Sequence, residues 1–478
     1  MCFLLLIFII TGCGREKGFT LKHPNILLVS VDTLRADHLK CYGYPFETSP
    51  FIDSIAERGA LIKNAVSVSP STLPSHTSLL TSLIPRKHGV VRNGYILSNN
   101  LLTLQKILKN EGFTTAAFVS SYALSSNFNF NQDFDLYDEK FDKNRYPGQQ
   151  KIERAANKTT DAVIKYLKEY SAKKPFFIFL HYIDPHWPYS PPPNYSRLFN
   201  PSYRGNFDGG MKSIYSLRSK LAKGETVSDE DKKQAEALYD GEIRFVNDQF
   251  KKLFSELQSE EKLQHTIIVF TADHGETFFE HDGYLDHSPR VYETTIHIPL
   301  ILYYEPKIKS GIKINKLVSN IDIAPTILEL AGIKIPDEYE GKSFANLLVG
   351  ENEKGSNREQ LYVFSESTRK APYLENGVNE YLLKAKNKWP NDPFAKSIRG
   401  RKWKYIETPY LGREEFYDIK NDPNERNNLI NSNDNRIKSE IVRFRNLLDF
   451  YKKIYVPPAV KYIDRKSIEN LKSLGYIN

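Results

Sequence analysis

Apolar residues dominate the run Asn25-Ile26-Leu27-Leu28-Val29-Ser30-Val31, the pattern of a strand buried on both faces. Similar short runs recur at residues 114–119, 175–181, 266–271 and 298–302. Between them the spacing turns helical, at 49–59 (with Gly59 as its stop), at 101–108, at about 153–170 and around 238–246. Residues 318–328 read as strand, turn and helix. Strands alternating with helices predict an α/β fold, a doubly wound and mostly parallel central sheet flanked by helices. From about residue 355 the pattern changes. Residues 402–406 and 415–418 alternate like short antiparallel strands, and 436–451 form an amphipathic helix. The expected organisation is a main domain over 24–350, a smaller C-terminal α+β subdomain over 355–430, and a helix with tail over 431–478. The polar stretch 196–235 reads as a surface insertion.

Composition changes this picture little. The chain has 478 residues, 40% of them hydrophobic, enough for one large core and a smaller one. Its net charge of +8 comes from 66 basic and 58 acidic residues that are interspersed, and no basic-aromatic module points to nucleic acid. The three cysteines, Cys2, Cys13 and Cys41, make no disulfide framework. The apolar run 3–10 is too short to cross a bilayer. It leads into Ile10-Thr11-Gly12-Cys13, the pattern of a bacterial lipoprotein signal over 1–12, cleaved so that Cys13 is lipidated, with a linker over 13–23. That pattern predicts a lipid-anchored protein of the cell envelope, facing the periplasm or the exterior, with the membrane as its partner through the anchor. The basic residues that usually precede such a run are missing, so the true start codon stays open.

Candidate chemistry lies at the ends of the predicted strands. Residues 25–31 end at Asp32-Thr33, and 266–271 lead to Asp273-His274. Open α/β sheets bind ligands at the C-terminal ends of their strands, and a neighbouring Asp and His can offer an oxygen and a nitrogen to one cation. Residues 69–82 hold Thr72 two places before Pro74, and 75–82 read as a helix start. A hydroxyl there would sit in the positive field of a helix N-terminus. A Ser/Thr-rich capping loop, and a turn role for Asp32, explain the same residues. The strand at 175–181 opens into Asp184-Pro185-His186-Trp187, where His186 is either a proton donor or a loop histidine packed on Trp187. Asn93, before Gly94, reads as a turn residue. Asp322 reads as structural.

These motifs resemble one family. Thr72-Leu73-Pro74-Ser75-His76, continued by Leu79-Leu80-Thr81-Ser82 and His88-Gly89-Val90, is similar to the nucleophile signature of the sulfatase family within the alkaline phosphatase superfamily. Thr271-Ala272-Asp273-His274-Gly275-Glu276 and Asp184-Pro185-His186 match it further, and the likeness extends over nearly all of 24–430. The resemblance implies one divalent cation held by Asp32, Thr33, Thr72, Asp273 and His274. Ca²⁺ is the commonest choice in the family, with Mn²⁺, Mg²⁺ and Zn²⁺ compatible with the donors. It implies catalytic roles for Thr72, for His76 (standing in for the family's Arg and hydrogen-bonding the nucleophile), and for His186 and His287 at the departing or non-bridging oxygens. Asn93, His186 and His287 would contact substrate. Three departures stand out: Thr33 replaces a ligand Asp, Ser120-Ser121-Tyr122 stands where many members have Gly-Lys-Trp-His, and Thr72 replaces the Cys or Ser that becomes formylglycine. Threonine cannot form that aldehyde, so no formylglycine is expected. The expected activity is metal-dependent hydrolysis of sulfate or phosphate/phosphonate esters by Thr72, on a small molecule, glycan or lipid. Two rivals remain: a lipid-anchored phosphotransferase like the phosphoethanolamine transferases, and a catalytically weak protein that binds anionic glycans.

Overall fold

The computed structural model describes residues 22–142, 153–281, 285–287, 290–350, 361–367, 395–454 and 467. The predicted signal segment, Cys13 and nearly all of the linker lie outside the described residues. Among the described residues nine strands form the central sheet. They are β1 Asn25–Val31, β2 Ala60–Val66, β3 Thr114–Phe118, β4 Leu136–Asp138, β5 Phe176–Tyr182, β6 Thr266–Ala272, β7 His297–Ile298, β8 Leu300–Tyr303 and β9 Ile312–Ser319. Their order is β4-β3-β5-β1-β6-β8-β2-β7, with β9 beside β2.

β1 runs parallel to both β5 and β6, and all seven of its residues are buried, as its apolar run requires. The run at 298–302 is not one parallel strand. Pro299, which has no N–H to give to a ladder, separates β7 from β8. β8 then lies antiparallel to both β6 and β2. That reversal leaves β2 pointing the same way as β1, so the C-terminal tips of β1, β2, β5 and β6 share one edge. β2 itself has no clear strand period in the sequence, because Lys63 and Asn64 interrupt it and the ladder to β9 shifts register there.

Helix α1 covers Pro50–Arg58 between Ser49 and Gly59. Helix α2, Thr72–Thr81, begins three residues before the sequence-based start at Ser75. Pro74 is tolerated because N–H groups of a first turn have no intrahelical partner. The helix expected around 238–246 extends over Asp229–Ser259. Ser228 caps it, and Asp229, Glu230 and Asp231 oppose the dipole of its first turn. The stretch 196–235 is more than a surface insertion: it contains helix Met211–Ala222, whose Arg218 is buried over the Trp187 ring at 4.4 Å.

A second sheet, antiparallel in the order β10 (Val363–Ser367), β11 (Ala395–Arg399), β12 (Trp403–Thr408) and β13 (Arg413–Asp418), follows. Helix Asn435–Lys452 lays Ile441, Phe444 and Leu448 on Ile398, Tyr405 and Phe416. The two sheets are joined by buried ion pairs, Arg86 to Glu366 at 2.9 Å and Lys404 to Glu293 at 3.0 Å.

Candidate active site

Register brings the two carboxylates together. Val31 of β1 lies opposite Ala272 of β6, so Asp32 and Asp273 leave neighbouring parallel strands at the same level. Asp273 Oδ1 accepts the N–H groups of Thr33 (3.2 Å) and His274 (2.8 Å). Asp273 Oδ2 has no hydrogen-bond partner among the described residues. The His274 ring donates from Nδ1 to the Gly275 carbonyl at 2.9 Å, which leaves the Nε2 lone pair facing the carboxylates. That nitrogen lies 3.3 Å from Asp273 Oδ2 and 3.9 Å from Asp32 Oδ1. One ligand atom from each of Asp32, Asp273 and His274 falls within 4.8 Å of the others. Two carboxylates and an imidazole lone pair converging in a buried place repel one another, and a divalent cation is the partner that this donor set fits. Gly275 keeps the turn tight, since a Cβ there would meet the Thr294 carbonyl at 2.1 Å.

The loop leaving β1 is strained. Thr33 has φ of 56°, a left-handed conformation that a β-branched residue rarely adopts, at a cost of roughly 1–2 kcal/mol. Its Oγ1 is buried with no hydrogen-bond partner among the described residues. Tyr239, from the long helix Asp229–Ser259, grips this loop twice. Its hydroxyl donates to the Thr33 carbonyl (2.7 Å) and accepts the Arg35 N–H (2.9 Å). Beside it, His38 and Tyr44 both bond to the Asp240 carboxylate at 2.7 Å.

Thr72 is the first residue of α2, after Ser71 in extended conformation. Its Oγ1 is buried and has no hydrogen-bond partner among the described residues. The next N–H, of Leu73, donates to Asn93 Oδ1 at 2.8 Å, so Asn93 orients the first turn of α2. One turn on, Ser75 Oγ donates to the Asp273 carbonyl at 2.7 Å and accepts from Asn320 at 3.1 Å, fastening the helix to the β6 tip. His76 differs from its expected role of hydrogen-bonding the nucleophile. Its Nδ1 donates to the Thr72 backbone carbonyl (2.8 Å), and its Nε2 accepts from Ser30 Oγ (2.8 Å). Both nitrogens are thus used away from the Thr72 hydroxyl. The reason is helical: i and i+4 stack on one face, which directs the His76 ring at the carbonyl of Thr72. Burial lowers its pKa and keeps it neutral, with Asp273 opposing that shift.

His186 and His287 lie beside this group. The His287 ring centroid is 4.5 Å from that of His274 and 5.3 Å from that of His186. His186 stacks on Trp187 and donates from Nδ1 to the Trp187 carbonyl at 2.7 Å, so Nε2 is the nitrogen that can exchange a proton. His287 Nδ1 is 3.7 Å from Glu276 Oε1. His281, by contrast, stacks on Tyr292 at 3.9 Å.

Several residues here carried no clear sequence signal. His181, on β5, stands 3.4 Å from Asp32 Oδ2, and burial pushes its pKa well down. Its one sequence cue is a polar residue closing an apolar run. Tyr239 lies 206 residues from the Thr33 carbonyl it holds and Arg218 lies in a separate helix from the Trp187 ring it covers, and no local spacing marks either. Asp322 accepts the N–H groups of Ser319 (2.8 Å) and Lys342 (2.7 Å), and burial raises its pKa to about 6.

Comparison with known proteins adds context. The family profile described as Sulfatase matches residues 24–333. An arylsulfatase of Clostridium perfringens is 25% identical over 475 residues, covering 88% of this chain and 93% of that one. An N-acetylglucosamine-6-O-sulfatase of Bacteroides thetaiotaomicron is 24% identical, covering 88% of this chain and 85% of its own. Among solved structures, a protein in complex with its substrate D-glucosamine-2-N,6-O-disulfate superposes with a TM-score of 0.71 at 22% identity, covering 91% and 98% of the two chains. A phosphonate monoester hydrolase of Agrobacterium radiobacter superposes with a TM-score of 0.69 at 20% identity, covering 90% and 96%.

Proposed function

The chain belongs to the sulfatase family and is a hydrolase of ester bonds; from that premise we propose that Thr72 is its nucleophile, acting on a sulfate or phosphate/phosphonate ester. The observation that carries this reading is the buried Thr72 hydroxyl, without a hydrogen-bond partner among the described residues, opening a helix whose next turn is fastened to Asp273. Leaving such a group unpaired costs about 1–3 kcal/mol, which is expected of an oxygen reserved for a ligand.

Asp32, Asp273 and His274, with the hydroxyls of Thr33 and Thr72 as further oxygen donors, would hold one divalent cation; Ca²⁺ is the first choice by kinship, and the imidazole admits Mn²⁺ or Zn²⁺. When bound, the ion supplies Lewis-acid neutralisation of charge on the ester oxygens. The chain's own residues do the rest. Asn93 holds the turn after Thr72, and His76 braces the same turn from the carbonyl side. The Thr72 hydroxyl gives its proton to solvent, its Oγ forms a bond to the phosphorus or sulfur as the bond to the ester oxygen breaks, and that oxygen takes a proton from Nε2 of a His186 imidazolium. His287 adds a donor beside it. Water then attacks the phosphorus or sulfur, giving a proton to the now neutral His186 Nε2, and the bond to Thr72 Oγ breaks as that oxygen takes a proton back from solvent. A single hydroxyl cannot expel the product as a hydrated aldehyde does, so turnover needs this external attack. Phosphothreonine admits it readily, whereas the family kinship leans toward sulfate.

The leader pattern around Cys13 supports a lipid-anchored location in the bacterial envelope, where sulfated or phosphorylated glycans and lipids are the available substrates. The test is to incubate the full chain, loaded with Ca²⁺ or Mn²⁺, with aryl sulfate, phosphate monoester and phosphonate monoester, then quench and weigh the peptide carrying Thr72. A gain of one phosphoryl or sulfuryl group, lost in Thr72→Ala along with all turnover and retained in Thr72→Ser, is expected. Undiminished turnover by Thr72→Ala sinks the assignment. Label passing to a sugar or lipid alcohol points to the transferase, and absence of turnover on every ester to the glycan-binding rival.

A further inference from the structure

A groove of about 890 Å³ opens between β9 and the second sheet. Its wall includes Lys313, Lys316, Arg399, Arg401, Lys402 and Lys420, with no carboxylate among the described lining residues. It lies far from the strand tips. In the β2–β9 ladder Leu61 pairs with Lys313 and Val66 with Ser319, so Lys313 sits at the start of strands whose far ends lead to Thr72. Five residues of strand separate the two levels, about 17 Å.

Two observations mark the groove as a site. Arg399 is only 4% exposed, yet its Nη1 has no hydrogen-bond partner among the described residues. The rest of the guanidinium is fixed: Nε donates to Glu293 at 3.1 and 3.2 Å, and Nη2 to Asn64 at 3.2 Å. A held guanidinium with one unused buried donor on a groove wall is built to receive an acceptor oxygen. The second observation is the crowding of charge. Lys402 reaches Asp418 at 3.6 Å, but Lys313 and Lys420 have no ion-pair partner among the described residues. With Arg399 held by Glu293 and Lys402 near Asp418, it is Lys313 and Lys420 that give the concavity a positive field favouring an anion.

We propose that this groove is a second anion-binding site, taking a sulfated glycan segment whose ester oxygens meet Arg399 at the wall and the lysines at the rim. The concave shape favours a chain over a membrane surface, because a flat bilayer meets the rim cations and leaves the Arg399 donor, 4% exposed, out of reach. Apolar side chains of Ile312, Leu317 and Ile419 give the groove aliphatic wall against which sugar rings can lie. The site would hold a polymer while ester bonds are cut elsewhere on the molecule. It does not depend on Thr72, since binding is read without turnover.

The experiment measures binding of the full chain to immobilised dextran sulfate across a salt series, with inorganic sulfate as competitor. The triple variant Lys313→Gln/Arg401→Gln/Lys420→Gln removes exposed charges only. It is expected to lose at least about tenfold in affinity, with the slope of log K against log salt falling by about one per charge removed. Arg399→Lys keeps the charge beside Glu293 but loses the unused donor, and should weaken binding and remove competition by inorganic sulfate. Turnover of a small aryl ester should be unchanged in the triple variant. Wild-type affinity in the triple variant overturns the proposal. So does loss of binding to phosphatidylglycerol vesicles with dextran sulfate binding intact, which would give the groove to a membrane surface.

Discussion

Replacing Tyr239 by phenylalanine removes one oxygen and keeps the ring, so no cavity is made. That oxygen donates to the Thr33 carbonyl at 2.7 Å and accepts the Arg35 N–H at 2.9 Å, within a side chain that is fully buried. The substitution therefore strands one buried acceptor and one buried donor, each at about 1–3 kcal/mol. Thr33 sits at φ of 56° and depends on such contacts to keep a conformation that by itself costs roughly 1–2 kcal/mol. If the loop stays put, stability falls by about 2–5 kcal/mol, the sum of the two orphaned groups less some relaxation. If the loop escapes to an ordinary φ, part of that loss is recovered, but Asp32 and Thr33 move away from Asp273. Either way the cation site suffers. Divalent affinity should drop at least tenfold, equivalent to about 1.4 kcal/mol. The assay is urea unfolding of Tyr239→Phe and wild type, each with and without Ca²⁺ or Mn²⁺. An ion that binds only the folded state adds about 2.7 kcal/mol at a hundred times its Kd, so the metal-induced shift reads the site directly. A variant with the wild-type midpoint and the wild-type metal shift would refute the idea that Tyr239 holds this loop.

Two other perturbations probe the scaffold. His88 is buried with Nδ1 accepting the Val90 N–H (3.1 Å) and Nε2 meeting Ser78 Oγ (2.9 Å), and burial pushes its pKa down to about 3. A folded pKa below the unfolded value near 6.5 means stability fully present above pH 6.5 and lost as pH falls toward 3. The slope is about 1.4 kcal/mol per pH unit, up to roughly 5 kcal/mol in all; His88→Gln should flatten the stability-versus-pH curve in that window, and an unaltered slope would assign the acid lability elsewhere. Glu293 is buried against Arg399 and Lys404; burial opposes its ionisation, yet the two cations hold its pKa well below the usual carboxylate range. Glu293→Gln leaves those cations poorly matched at a cost of about 3 kcal/mol. Hydrogen exchange should quicken in β11 and β12 while β1 and β6 stay protected, and uniform protection throughout would show that this cluster does not join the two sheets.

β1, β3, β5 and β6 are continuous apolar runs, and the structure places them within a residue of the expected bounds. β2 has no period to detect because Lys63 and Asn64 interrupt it, half-buried polar side chains that donate to the Cys41 and Asn315 carbonyls. The sequence pattern puts the start of α2 too late because Pro74 reads as a boundary, although a first turn accepts it. At the site, the chemistry-bearing types were visible as motifs. Contact partners were not. His76 illustrates the gap: its place one turn after Thr72 is plain in the sequence, but whether it meets the hydroxyl or the carbonyl depends on Ser30 of β1 capturing its other nitrogen.

Taken by itself, the sequence determined the α/β alternation, the buried strands and the polar residues waiting at their ends, because apolar period and motif spacing are local properties. Only the tertiary structure decided which ends meet. The β1–β6 register sets Asp32 level with Asp273, the reversal of β8 turns β2 so that Thr72 arrives at the same edge, and Tyr239 comes in from a distant helix to hold Thr33 in a strained turn. Those outcomes follow from ladder pairing and long-range packing, whose partners are hundreds of residues apart and leave no trace in any short window of the chain.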